Sequence, residues 1–269
     1  MAGIPCERLV HQAHWQLKEP LDAVAFDCDS TLSQIEGIDV LADHNGVLRA
    51  VHTLTERAMS ETGVDPNMYC ERLALVKPHA DATEAIGERY YAAATPGVEG
   101  VIRALHLLNK RVFVISAGIY QAVVPFAMRL GIARSSVFAV RLMFDEKGHY
   151  INYDEDSPLI RQEGKREIIE QLQVQYPRMA HVGDGMNDVA AAGIVERFIG
   201  YGGSMYRASI ARVSDFYITA HSLASALPLL LTAEEEMRLD RSGRQIYEEG
   251  LRLMEANHIL LNPSMGRAA

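Results

Sequence analysis

Short apolar runs that stop on polar residues recur along this chain, separated by stretches with an apolar residue at every third or fourth position. Asp22-Ala-Val-Ala-Phe-Asp27 is the first such run, and Arg111-Val-Phe-Val-Ile-Ser116, Met179-Ala-His-Val-Gly-Asp184, Arg197-Phe-Ile-Gly-Tyr201 and Asp215-Phe-Tyr-Ile-Thr219 follow. Runs this short and this apolar are the pattern of strands buried on both faces of a parallel sheet. Helical periodicity fills the gaps over about residues 97–110, 119–130, 164–175 and 186–193. Strand alternating with helix predicts an α/β fold with a doubly wound, Rossmann-like parallel sheet, covered on both faces and right-handed in its crossovers. Val137 to Phe144 and His149 to Tyr153, joined through Glu146-Lys-Gly148, predict a hairpin beside that sheet.

More than 80 residues separate the first run from the second, too many for an ordinary crossover, and they contain no further strand pattern. Leu48, Val51, Leu54, Ala58 and Met59 keep a helical rhythm, and Met68, Leu73 and Val76 a looser one, so residues 34–94 are expected to form a small helical cap inserted after the first strand. Thr95-Pro-Gly97 punctuates the return to the sheet. The expected division is a core of residues 1–33 and 95–220, the cap of 34–94, and a C-terminal helical extension of 221–269. In that extension Thr232-Ala-Glu-Glu235 has the form of a capping box, and Tyr247, Leu251, Met254 and His258 share one face of a helix. The face predicts packing on the chain's own core, with a homodimer seam or a lid as the alternatives.

Composition narrows the function. With 26 Lys and Arg against 35 Asp and Glu the net charge is −9, which repels a polyphosphate backbone and argues against a nucleic-acid partner. No apolar run reaches the roughly 18 residues of a membrane span, and Glu7, His11, His14 and Lys18 interrupt any signal-peptide core, so the chain reads as cytoplasmic with no membrane partner. Cys6, Cys28 and Cys70 lack the spacing of a disulfide framework or a zinc site. Cys28 reads as a buried thiol, His11 and His14 as surface histidines, and Trp15 as a packing residue.

The chemistry gathers at strand ends. Asp27-Cys-Asp-Ser-Thr31 sets two carboxylates two residues apart after the first strand, able to bind a divalent cation while one attacks an electrophile and the other handles protons. Gly183-Asp-Gly-Met-Asn-Asp188 adds two more after a later strand, and loops at the carboxyl ends of parallel strands converge. Such an oxygen-rich cluster requires a cation and favours Mg²⁺. Ser116, followed by Ala117-Gly118 and a helix, offers an anion site, and Lys165 stands at a helix start, where a cation calls for nearby negative charge.

These four segments, in this order, resemble the motifs of the haloacid dehalogenase superfamily of phosphohydrolases over residues 21–220, and the insert resembles that superfamily's cap. Within the superfamily the pattern is most similar to the phosphoserine phosphatase family, through Asp27-Cys-Asp-Ser-Thr, Glu36, Ala58-Met59 and Arg72. The resemblance implies a Mg²⁺-dependent phosphomonoesterase working through an aspartyl phosphate, with Asp27 as nucleophile and Asp29 as general acid and base. It implies phosphoryl binding by Ser116 and Lys165, metal binding by Asp27, the Asp29 carbonyl, Asp184 and Asp188, and substrate contacts from Glu36, Met59, Arg72, Ser116, Gly118 and Asn187. Glu36 and Arg72 suit the two ends of an amino acid, which makes L-phosphoserine the expected small phosphorylated metabolite. Glu61 and Asp65 place negative charge where that family carries glycine and an apolar aromatic, which keeps a phosphatase or phosphotransferase for another small metabolite as the alternative. A non-catalytic binding protein on the same fold is a further alternative, opposed by the joint presence of Asp27, Asp29, Lys165 and Asp184.

Overall fold

The computed structural model describes residues 15–57 and 65–261. Within them lie strands β1 Ala23–Phe26, β2 Arg111–Ile119, β3 Val137–Val140, β4 Leu142–Phe144, β5 Tyr150–Tyr153, β6 Met179–Gly183, β7 Arg197–Tyr201, β8 Phe216–Ile218 and β9 Ile259–Leu261. The α-helices are α1 Gly37–His44, α2 Leu48–Arg57, α3 Pro66–Val76, α4 Ala80–Ala92, α5 Val98–Leu107, α6 Tyr120–Arg129, α7 Gly164–Gln173, α8 Met186–Val189, α9 Ala208–Ala211, α10 Ala233–Met237 and α11 Arg241–Glu255.

Seven strands form one sheet in the order β3-β2-β1-β6-β7-β8-β9. All neighbours run parallel except β8 and β9. Every residue of β1, β6, β7 and β8 is buried, as apolar strands covered on both faces require. The chain leaves β1 towards β2 and β3 on one side and returns to β6, β7 and β8 on the other. That reversal opens a crevice beside the carboxyl end of β1, where ligands settle in open α/β sheets.

Between β1 and α5 the chain forms an insert of α1 to α4, and the two ends of that insert are laced together. Ser33 bridges Ala94, Gln34 N–H donates to Ala93 O, and Thr95 donates its N–H to Leu32 O and its hydroxyl to Thr31 O. α3 begins sharply because Pro66 starts its first turn and the Asp65 carboxylate accepts from Met68 N–H at 3.0 Å.

Two expected elements differ. The predicted hairpin splits at Arg141: Val137–Val140 joins the parallel sheet as its edge beside β2, and only Leu142–Phe144 pairs antiparallel with β5. The helix expected to start at Met186 stops at Val189 and gives way to turns.

The C-terminal region packs on the chain itself. Thr232 and Glu235 form the expected capping box, and α11 lies against α5 and the turn Leu223–Ala226, burying Tyr247 and Met254. His258, by contrast, is exposed beyond the helix end, and the chain turns into β9, an edge strand that the sequence pattern did not announce. No described helix is long and apolar enough to cross a membrane.

Glu235 also ties this region to the sheet, because it pairs at 2.6 Å with the buried ammonium of Lys110, which donates to Leu21 O as well. Glu235→Ala should therefore cost about 3–5 kcal/mol in urea denaturation, since it leaves a buried cation unpaired. Joint replacement, Lys110→Met with Glu235→Leu, should recover most of that loss. A cost below about 1 kcal/mol for the single change would show that the pair is not a tie.

Candidate active site

The carboxyl ends of β1, β2 and β6 bring the chemistry together. Asp27 directly follows β1, held there as its N–H donates to Val182 O. The chain then coils tightly through Cys28–Leu32, with Ser30 in the left-handed region at φ 54°. That excursion lets the Ser30 hydroxyl donate to Glu36 at 2.6 Å and turns Asp29 towards β2. Asp184 and Asp188 arrive from β6 and the first turn of α8.

Asp27, Asp184 and Asp188 are all buried, with one oxygen of each within 4.8 Å of the others, a hard-oxygen set suited to a divalent cation. Lys165 reaches into the same cluster from α7, 2.8 Å from Asp27 and 2.7 Å from Asp188. Its place in the first helical turn is thereby explained: these carboxylates outweigh the unfavourable helix dipole. Burial lowers the Lys165 pKa, but Asp188 and Asp27 more than reverse this and hold it above its ordinary value.

The Asp29 carboxylate stands outside that cluster and has partners of its own. Oδ1 accepts from Gly37 N–H at 2.7 Å and from the Tyr90 hydroxyl at 2.6 Å, and Oδ2 accepts from the Ser116 hydroxyl at 3.3 Å. Ser116 Oγ in turn accepts from Gly118 N–H, and a Cβ on Gly118 would lie 2.4 Å from Asp29 Oδ2, so only glycine fits there. β2 runs on to Ile119, and α6 begins at Tyr120, slightly beyond the start that the sequence pattern predicts.

A pocket opens over this group, lined by Asp27, Asp29, Ser116, Gly118, Lys165 and Asn187 from below and by Glu36, Ile38, Tyr69, Arg72 and Leu73 from the insert. Arg72 Nε and Asn187 Oδ1 are buried with no hydrogen-bond partner among the described residues, as groups kept for a ligand would be. Of the residues singled out for the site in the sequence, Ala58, Met59 and Glu61 lie outside the described residues; Asp27, Asp29, Glu36, Arg72, Ser116, Gly118, Lys165 and Asn187 line this pocket, and Asp184 and Asp188 stand beside Asp27. Asp65 does not line it; its carboxylate caps α3. The aromatic wall comes instead from Tyr69, one turn before Arg72.

A family model for haloacid dehalogenase-like hydrolases matches residues 21–194. The chain is a haloacid dehalogenase-like hydrolase. This hydrolase is 36% identical over 200 residues to the phosphoserine phosphatase of Rattus norvegicus, covering 74% of the chain and 89% of that protein. It is 35% identical over 202 residues to the chloroplastic phosphoserine phosphatase of Arabidopsis thaliana, covering 74% of the chain and 68% of that protein. A solved structure of a phospho-aspartyl intermediate analogue of phosphoserine phosphatase superposes with a TM-score of 0.69 at 26% identity, over 78% of the chain and 98% of the other.

Several contacts of the site carry no motif. Arg207 Nη1 lies 2.6 Å from Asp184 Oδ2 while its Nη2 reaches Glu56 in the insert, and Thr31 donates to the other Asp184 oxygen. His181 Nε2 lies 2.7 Å from Asp188 Oδ1, its Nδ1 facing Ala25 O. A histidine inside an otherwise apolar buried strand was the available signal for His181. Arg207 and Tyr90 had none, since a lone basic residue after glycines and an aromatic on an apolar helix face are both commonplace.

Burial raises the Asp27 pKa to about 7, Lys165 only partly opposing it, and burial with the Asp29 charge raises Glu36 to about 8. Burial also pushes Asp188 up, but Lys165 and His181 overcome it and hold that carboxyl at about 2. Asp27 and Glu36 lie above the roughly 4 of carboxyls in an unfolded chain. Folding therefore takes up protons, and the stability contributed is complete below about pH 4 and is lost as pH rises through about 7 to 8. With a chelator present, the Tm of this hydrolase should fall between about pH 5 and pH 8. A millimolar divalent cation should raise Tm more at the higher pH, where its carboxylate ligands are ionised. A chelated protein with a flat Tm across that range would contradict the assignment.

Proposed function

We propose that this hydrolase is a Mg²⁺-dependent phosphomonoesterase that converts L-phosphoserine to serine and phosphate through an aspartyl phosphate on Asp27. The observation that carries the reading is one pocket in which Arg72, its buried Nε without a partner among the described residues, and Glu36 stand on the insert side while Asp27, Lys165 and Ser116 stand on the sheet side. A bidentate guanidinium suits the substrate carboxylate and Glu36 its ammonium. The likeness to phosphoserine phosphatases supports the same substrate. Asp65, the feature that favoured another metabolite, is occupied as a helix cap.

In this reading Lys165, the Ser116 hydroxyl and Asn187 hold the phosphoryl oxygens, and Lys165 also opposes the effect of burial on Asp27, favouring its ionised form, and holds it aimed at phosphorus. Asp27 forms an O–P bond as the P–O bond to the serine alkoxide breaks, and the leaving oxygen takes a proton from Asp29. Water then attacks the aspartyl phosphate and gives its proton to Asp29, the Asp27–phosphorus bond breaks, and both carboxyls return to their starting states. Asp27 and Asp184, with Asp188 beside them, would hold Mg²⁺, whose chemistry is to neutralise charge on the transferring phosphoryl group.

Phosphate release in the presence of Mg²⁺ tests the reading. Asp27→Asn should lower kcat at least about 10³-fold, and retention of more than about a tenth of the activity would remove Asp27 as nucleophile. Arg72→Ala should reduce kcat/KM for phosphoserine by about 10²-fold and spare para-nitrophenyl phosphate, which lacks the carboxylate. Equal losses on both esters would place Arg72 in the fold rather than on the substrate.

A further inference from the structure

Two donors converge on one oxygen of Asp29, and both come from the insert. Gly37 N–H opens α1 and the Tyr90 hydroxyl stands in the last turn of α4, 2.7 and 2.6 Å from Asp29 Oδ1. Tyr90 is buried, packed against Phe126 with ring centroids 5.6 Å apart, and its hydroxyl occupies the space that a side chain at position 37 would need: a Cβ on Gly37 would lie 2.2 Å from it. The hydroxyl thus has one acceptor, a fixed ring and a gap shaped to admit it. Asp29 Oδ2, in contrast, lies on the side of Ser116 and Gly118, which line the pocket.

We propose that Tyr90 is a positioning residue that occupies Oδ1 of Asp29 and so directs Oδ2 at the leaving-group oxygen. A carboxyl group can rotate about its Cβ–Cγ bond and present either oxygen; two strong donors on one of them remove that freedom. Because Tyr90 and Gly37 belong to the insert and Asp29 to the sheet, the proton-transferring oxygen is aimed only when the insert is seated. The inference rests on Asp29 acting as general acid and base. It concerns the step in which the electron pair of the breaking P–O bond passes to the leaving oxygen and the proton moves there from Asp29 Oδ2.

The leaving group separates this role from a structural one. An alkoxide needs the proton as it departs, whereas para-nitrophenolate does not. Tyr90→Phe keeps the ring against Phe126 and removes only the donor. It should lower kcat on phosphoserine at least about 10-fold with KM changed less than about 2-fold, and leave the rate of the para-nitrophenolate burst within about 2-fold of the parent. Gly37→Ala, which displaces the hydroxyl, should give the same selective loss, with a lowered Tm because the buried ring must give way. Loss in equal proportion on both esters, or no loss on the alkyl ester, overturns the proposal. If the parent enzyme hydrolyses para-nitrophenyl phosphate but not phosphoserine, the substrate reading fails, and β-glycerophosphate, another alkyl ester, supplies the same comparison.

Discussion

Asp27, Asp184 and Asp188 are buried together, two of them within hydrogen-bonding range of a single ammonium, and that arrangement governs the rest of the molecule. Burying like charges together costs far more than any of their individual contacts returns, so positive partners must arrive by construction. Lys165 serves two of the carboxylates from α7, and Arg207 serves Asp184 from the segment after β7. Both suppliers come from segments next to β6 and β7, the strands that follow β1 in the sheet order. A parallel sheet with its reversal at β1 is thus the device that lets segments more than a hundred residues apart neutralise one another.

The division of labour in the pocket follows from that geometry. In the proposed reading, groups rooted in the sheet face the phosphoryl position, where every phosphomonoester is alike. Groups rooted in the insert, Glu36, Tyr69 and Arg72, line the other side of the pocket and would face the remainder of a substrate, where esters differ. The lacing of Ser33 to Ala94 fixes the insert's two ends side by side, so its helices are carried as a unit above the strand ends. Substrate choice can change within those helices without disturbing the charge balance below.

Much of this was legible in the residues. Apolar runs ending in acids located β1 and β6 with their carboxylates, because strand burial and loop chemistry leave opposite signatures next to each other. Arg72 and Glu36 were legible only through the resemblance, since nothing in their own surroundings distinguishes them from surface charges. Asp65, whose charge kept another metabolite open in the sequence, caps α3 instead: acidic residues before a proline at a helix start serve as caps, and spacing alone does not say which way a carboxylate points. The hairpin was misplaced because Val137–Val140 is short and apolar enough to pair either way, and the choice was made by β2 offering a long open edge. β9 was hidden because three residues are too few to show a period.

The tie between Lys110 and Glu235 spans 125 positions, and β8 waits for residues beyond 258 to cover its outer edge. A chain emerging from the ribosome therefore has Lys110 without its counter-charge until Glu235 follows, and an open edge on β8 until Ile259–Leu261 follow. Contacts of such long range slow folding and leave edges exposed to neighbouring chains. The order of synthesis thus sets an interval in which the outer edge of β8 is open to strands of other chains.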